Sequence, residues 1–401
     1  MKIPPPVTGP APMPARIVSV DVYRGFVMLL MMAEVLRLST VADALPGNAF
    51  WQFLGWNQSH VPWTGGSLHD MIQPSFSFLV GVALPFSIAS RTAKGATFNS
   101  LLKHTLVRSL ILVLLGIFLR SLHSTQTNFT FEDTLTQIGL GYPFLFLLGF
   151  ATRRTQVVTV LLILAGYWLA FVLYPLPATG FDTTLVGVPA DWPHNMQGLA
   201  AHWNKNTNLA AAFDQWFLNL FPREKPFAYN RGGYVTLSFI PTLGTMALGL
   251  FAGRALKSTD TPQERIRFFL ITGACLLAAA ALLHFTGICP IVKRIWTPSW
   301  TLFSGGLCFF FLTFFYWLTD VAGRQKYILP LVVIGMNSIA AYVIADGFGG
   351  FISNSLSIHL GQNFDQVLGS AYAPLVRGIP VLAMEWLILY WMYRKKIFIK
   401  V

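Results

Sequence analysis

Ser59 to Gly81 reads SHVPWTGGSLHDMIQPSFSFLVG, a polar, titratable half set directly against an apolar one. An imidazole titrates near neutrality, so His60 suits proton transfer. Asp70, ten residues on, could orient its ring as acids do in other His/acid pairs; equally, Asp70 could cap the helix that follows and His60 could be a solvated loop residue. Gly65 and Gly66 permit a tight turn between them. Other chemistry-bearing groups are spread along the chain. Asp21 and Arg24 stand at i, i+3 in RIVSVDVYRGFVMLL, either as an ion pair or with Arg24 facing an anionic cofactor. Glu34 lies near the other end of that run and is either interfacial or part of a site. Lys293, Trp296, Thr297, Ser299 and Trp300 cluster in KRIWTPSWTLFSGG, where the tryptophans are either site walls or interfacial anchors. Asn337 sits in VVIGMNSIAAYV as a ligand contact or as helix-to-helix glue, with Asp346 further along. Cys275, Cys289 and Cys308 show no metal-ligand spacing and no disulfide framework, and no metal is expected.

These groups need a scaffold, and composition says which. Of 401 residues, 54% are hydrophobic and 11% charged, against about a quarter charged in soluble chains; this is a membrane protein. The net charge of +12 falls between apolar segments, which fits lipid headgroups and orientation rather than nucleic acid. A hydrocarbon core of about 30 Å needs roughly 20 apolar residues per helix. Ten stretches qualify: 17–37, 69–90, 104–122, 133–151, 155–175, 234–254, 266–286, 297–319, 327–347 and 375–393. Along one alternating path their Lys and Arg residues divide about two to one. The expectation is therefore an all-α polytopic protein of about ten transmembrane helices with both termini cytoplasmic.

That path places segments near 38–68, 176–233 and 348–374 outside. The second contains DWPHNMQGLAAHWNKNTN, whose Trp192, Trp203 and asparagines suit sugar stacking or an interfacial belt. The opening MKIPPPVTGPAPMPAR lacks an apolar signal region, so 1–15 is expected as a disordered cytoplasmic tail and 16–401 as a single transmembrane domain. No internal repeat is visible by eye.

The spacing His60, Trp63, Gly65, Asp70, Pro74, Phe76, Phe78, Gly81 resembles the transmembrane acyltransferases of the heparan-α-glucosaminide N-acetyltransferase family. So do Ser19, Asp21, Arg24 and Gly25, the segment Lys293 to Gly306, and GMNSIAAY from Gly335 to Tyr342. The four matches stand in the family's order and cover nearly the whole chain. The family's asparagine in the first outer region has no clean counterpart, since MMAEVLRL places Glu34 or Val35 there, and PGNAFWQFLGWNQ is extra before His60.

The resemblance implies an acyltransferase that moves an acetyl group from cytosolic acetyl-CoA to the amine of an amino sugar or glycan on the external side. His60 is the implied base or acyl carrier, favoured over His69 by its spacing, with Asp70 its partner or a cap. Because the charge tally puts His60 outside, the thioester would cross much of the bilayer inside the protein. Arg24, then Arg91 and Lys326, are the candidates for its phosphates, and Asn337 for its pantetheine amides. Trp63, Glu34, Lys293, Trp296, Ser299 and Asp346 are the acceptor-side candidates. The competing readings are a secondary transporter for a sugar or anion and a non-catalytic membrane partner. A bacterial plasma membrane is the expected location, with lipid as partner and a homo-oligomer compatible with the sequence.

Overall fold

The computed structural model describes residues 17–324 and 326–399; the tail expected at 1–15 lies outside them. Helices run in the order α1 (Val18–Met32), α2 (Leu38–Ala44), α3 (Ala49–Asn57), α4 (Ile72–Thr92), α5 (Phe98–Ser121), α6 (Thr134–Phe150) and α7 (Arg153–Leu173). They continue as α8 (Leu209–Phe217), α9 (Phe239–Lys257), α10 (Pro262–Phe285), α11 (Pro298–Tyr316), α12 (Leu329–Met336), α13 (Ser338–Leu360) and α14 (Ala373–Arg394). Among the described residues, seven helical segments are long and apolar enough to cross a membrane, and the count reaches nine if two bent pairs each make one span. Helix α6, at 17 residues, is a shorter apolar helix. Nine of the ten apolar stretches thus fall on one helix each and the tenth on the pair α12 and α13, and the chain is an all-α, multi-pass membrane protein.

Local chemistry sets the helix starts. Thr261 and Glu264 form a capping box ahead of α10, with Pro262 in its first turn. Asp133, Thr152 and Thr297 accept backbone N–H bonds at the starts of α6, α7 and α11. Leu110, Leu114, Leu161, Leu162 and Leu282 of α5, α7 and α10 point outward, as lipid-facing positions require, whereas α4 and α9 are central. There a Cβ on Gly81 would overlap the Met246 carbonyl, and one on Gly249 the Phe78 carbonyl, so absent side chains let the two backbones touch. Helices α1 and α12 meet in the same way through Gly25 and Gly335.

Four expectations change. The span expected at 327–347 is broken at Asn337, where α12 and α13 are bent by 83°. The break is held from far away: Asn337 Nδ2 donates to the Ile397 carbonyl at 2.8 Å, and Ile399 N–H donates to Asn337 Oδ1 at 3.0 Å. The segment 348–374 is only partly loop, because α13 runs on to Leu360 with Phe348, Phe351, Ile352 and Ile358 at helical spacing. The segment 38–68 carries α2 and α3, set off from α1 by a short 3₁₀ turn, Ala33–Leu36, and by left-handed Arg37 (φ 46°). The Gln58 amide holds that kink by donating to the Ala33 carbonyl and accepting from Leu38 N–H. In 176–233, Trp203 is fully buried and stacks on Phe171, leaving it no face for a sugar.

Candidate active site

Two loops and one helix start build the chemical centre. Asp70 sits in the 3₁₀ turn His69–Met71 that opens α4 and is 1% exposed. Its Oδ2 accepts from Val61 N–H at 3.2 Å and Ser67 N–H at 3.0 Å, while the Ser67 hydroxyl beside it donates to the Ser59 carbonyl at 2.6 Å. Its Oδ1 lies 2.7 Å from His60 Nδ1 and 3.2 Å from the Lys293 ammonium. One oxygen therefore pins the preceding loop and the other meets the imidazole; neither accepts from the first turn of α4, so Asp70 contacts the ring and does not cap the helix that follows.

Lys293 Nζ is also 3.2 Å from His60 Nδ1, but one ring nitrogen cannot donate to a carboxylate and accept from an ammonium. The shorter contact assigns the proton: Nδ1–H donates to Asp70, Lys293 belongs to Asp70, and Nε2 is left as an acceptor. Burial pushes the His60 imidazole below its ordinary value, with the Lys293 charge acting in the same direction and Asp70 opposing. That direction favours the neutral ring near pH 7. Burial likewise lowers Lys293, against the pull of Asp70.

The segment KRIWTPS explains itself as the frame for Lys293. Gly65, left-handed at φ 96°, donates its N–H to the Ile291 carbonyl at 2.9 Å, and Thr64 bridges Val292, tying the His60 loop to the Lys293 loop. Arg294 donates to the Gly232 and Val61 carbonyls. Trp296 and Ser299 are buried, donating to Thr245 Oγ1 and the Pro290 carbonyl. Trp63 is wholly buried, its indole donating to the Trp203 carbonyl at 3.0 Å. Trp63, Trp296 and Ser299, expected against the acceptor, are thus occupied in the core, and Trp296 and Trp300 are not interfacial anchors either.

His60 and Lys293 open on a cavity of about 470 Å³ also lined by Glu34, His69, Arg120, Glu132, Tyr234, Tyr342 and Asp346. His69 Nε2 is 3.1 Å from Glu34 Oε1, and its ring centroid is 4.6 Å from that of His60. Burial raises the Glu132 carboxyl and the Tyr234 phenol. A second cavity of about 530 Å³ is lined by Asp21, Arg24, Arg91, Arg108, Tyr142 and Ser338, among others. In it Arg24 lies 3.5 Å from Asp21 Oδ1, Arg91 Nη2 is 2.8 Å from His104 Nε2, and Arg108 donates to the Tyr142 hydroxyl at 3.1 Å.

The two cavities lie on the same helix faces. On α4 the lining runs Gln73, Phe76, Val80, Ala83, Ser87, Arg91; on α6, Thr134, Ile138, Tyr142; on α13, Asp346, Tyr342, Ile339. Steps of three or four residues keep each series on one face. At 1.5 Å per residue, Gln73 and Arg91 stand about 27 Å apart along α4.

Lys326 is exposed and lines neither cavity, and Asn337 is spent on the 397–399 backbone while its neighbours Met336 and Ser338 face the arginines. Sequence reasoning passed over His69, Arg108, Arg120, Glu132 and Tyr234. Arg108 and Arg120 had a signal, since a cation inside an apolar span marks a functional position by default. Tyr234 had none, and for His69 the residue was visible but its pairing was not, because Glu34 arrives from another element.

No protein-family model matches the chain. It is similar to heparan-alpha-glucosaminide N-acetyltransferase of Homo sapiens, 24% identical over 97% of this chain, and of Mus musculus, 23% identical over 96%. The chain spans 60% of the length of these curated relatives.

Proposed function

We propose that this chain is a membrane N-acetyltransferase. It takes the acetyl group of acetyl-CoA, entering at the Arg24, Arg91 and Arg108 end, and passes it to the amine of an amino sugar at His60. One observation carries the reading: two cavities share the faces of α4, α6 and α13, with guanidinium groups at one end and a His/Asp/Lys centre at the other. That layout suits a thioester whose phosphates lie at one end of a long arm and whose acetyl lies at the other. A run of about 27 Å along α4 is close to the hydrocarbon thickness of about 30 Å, and the Lys and Arg bias supports the arginine end facing the cytoplasm. The names of the relatives support the acetyl donor and the amino-sugar acceptor. A bacterial plasma membrane remains our reading of the location.

In the reaction the amine lone pair attacks the thioester carbonyl carbon, the C–S bond breaks, and His60 Nε2 takes the amine proton and returns it to the departing thiolate. Asp70 holds the tautomer and stabilises the transient imidazolium; Lys293 keeps Asp70 charged. Tyr234, a neutral hydroxyl on the same cavity wall, supplies a donor for the oxyanion. The same atoms also permit an acetyl-His60 intermediate.

The test is CoA release by the purified chain in detergent with acetyl-CoA and glucosamine. His60→Ala is expected to slow it by about 10²-fold or more; release as fast as the parent's would remove His60 from the chemistry. A burst of CoA equal to the protein, without acceptor, would select the acyl-enzyme route. The break at Asn337 favours one other reading, a transporter with a discontinuous helix. Acetyl-CoA left intact while sugar exchanges across vesicles would select it.

A further inference from the structure

Acetylating an amine near pH 7 poses a proton problem that one base does not solve. An amine of ordinary basicity arrives mainly as R–NH₃⁺, without a lone pair, so one proton must leave before attack and a second leaves as the N–C bond forms. The cavity holds a second His/acid pair that the mechanism above does not use. His69 Nε2 lies 3.1 Å from Glu34 Oε1, and its ring is 4.6 Å from His60, centroid to centroid. The two carboxylates differ in wetness, Asp70 being 1% exposed and Glu34 56%, while the rings run the other way, His60 at 38% and His69 at 7%.

We propose that His69, held by Glu34, is a second catalytic base that strips the incoming ammonium, while His60 serves the attack itself. The inference rests on the amine acetylation proposed above. With Nε2–H donated to Glu34, His69 Nδ1 accepts the first proton from R–NH₃⁺, giving the free amine and an imidazolium beside a carboxylate. The amine then attacks, its second proton passes to His60 Nε2 and on to the CoA thiolate, and the products are R–NH–COCH₃ and CoA–SH. His69 releases the first proton to water past exposed Glu34, so one H⁺ is produced for each ammonium consumed. Glu132 and Asp346 on the cavity wall draw a cation inward, partly offset by Arg120 and Lys293. Buried Asp70 thus offers the His60 proton no way out through its carboxylate, whereas exposed Glu34 gives His69 a route to water.

An acceptor that is already neutral at pH 7 separates the two roles. The full chain in detergent is supplied with acetyl-CoA and either glucosamine or O-methylhydroxylamine, a weakly basic amine, and CoA release is followed. His69→Gln is expected to raise the ratio of kcat/KM for the neutral amine over glucosamine by about 10²-fold. Glu34→Gln, at an exposed position that folding tolerates, raises it by a smaller factor, and His60→Ala lowers both rates without moving the ratio. An unmoved ratio in His69→Gln, or in Glu34→Gln should the first variant not fold, overturns the second-base assignment. A parent protein inactive with both amines overturns the acetyltransferase reading instead.

Discussion

Lys293 Nζ and Asp70 Oδ1 lie 3.2 Å apart with both side chains at most 5% exposed, and on top of burial that pair acts on the ring beside it in opposite directions, Asp70 raising and Lys293 lowering His60. An isolated carboxylate at this depth would draw a proton onto His60. The ammonium supplies a countercharge, so the carboxylate can hold the imidazole without protonating it.

Two substitutions should move the base in opposite directions. Lys293→Met removes a positive neighbour that lowers His60, so the acid limb of kcat/KM against pH should shift to higher pH and activity near pH 6.5 should fall most. Asp70→Asn removes the group that raises His60, so the limb should shift to lower pH while the plateau drops by about 10²- to 10⁴-fold. Shifts of the same sign in both variants would break the proton assignment.

The glycine contacts give a structural prediction. A Cβ on Gly335 would overlap the Asp21 carbonyl, while one on Gly166, on lipid-facing α7, meets nothing within 4 Å. Gly335→Ala should lower the thermal midpoint in detergent by several degrees, as overpacking of about 1 to 3 kcal/mol does, and should weaken acetyl-CoA binding through the displaced Asp21 and Arg24. Gly166→Ala should leave the midpoint unchanged or raise it. Equal losses would mean that α1 and α12 are not in backbone contact.

These residues also show what the sequence could reveal. The apolar runs were legible because hydropathy is a local property, and Gly25 and Gly335 stood in the motifs without a visible reason; the reason is that each docks one helix on the other. The break at Asn337 was hidden, since the groups that satisfy it belong to residues 397 and 399, some sixty positions away. Glu34 and His69 were both readable as titratable, but their pairing needs α1 to end in a kink whose carbonyl and N–H are held by Gln58. Trp63, Trp296 and Ser299 carried the right residue types for a site and were drawn instead into the frame around it.

Asp214 offers a test outside the catalytic centre. It is 3% exposed, its Oδ2 accepts from Thr236 N–H at 2.9 Å, and its Oδ1 has no partner among the described residues. Burial pushes its pKa up to about 7, from about 3.9 when unfolded. The raised folded value means that its stabilising contribution is complete below about pH 4 and is lost as pH climbs toward 7. Asp214→Asn should therefore match the parent at pH 4 and gain stability up to a plateau above pH 7, of a few kcal/mol at most. A gain independent of pH in thermal unfolding would point to a packing effect instead.

The arginine end makes the last prediction. Arg24, Arg91 and Arg108 line one cavity, and a charge-assisted contact is worth about 1.5 to 3 kcal/mol. Arg108→Ala keeps its place on α5 but removes a guanidinium that also lies 4.7 Å from the Tyr142 ring centroid. The KM for acetyl-CoA should then rise by about 10- to 150-fold, while S-acetylpantetheine, which lacks the nucleotide phosphates, should be used much as the parent uses it. Because the loss belongs to phosphate recognition, added salt should raise the parent's KM for acetyl-CoA more than the variant's. An Arg108→Ala protein equally impaired with both donors would place the damage in the packing of α5 against α6 and leave the phosphates to be held elsewhere.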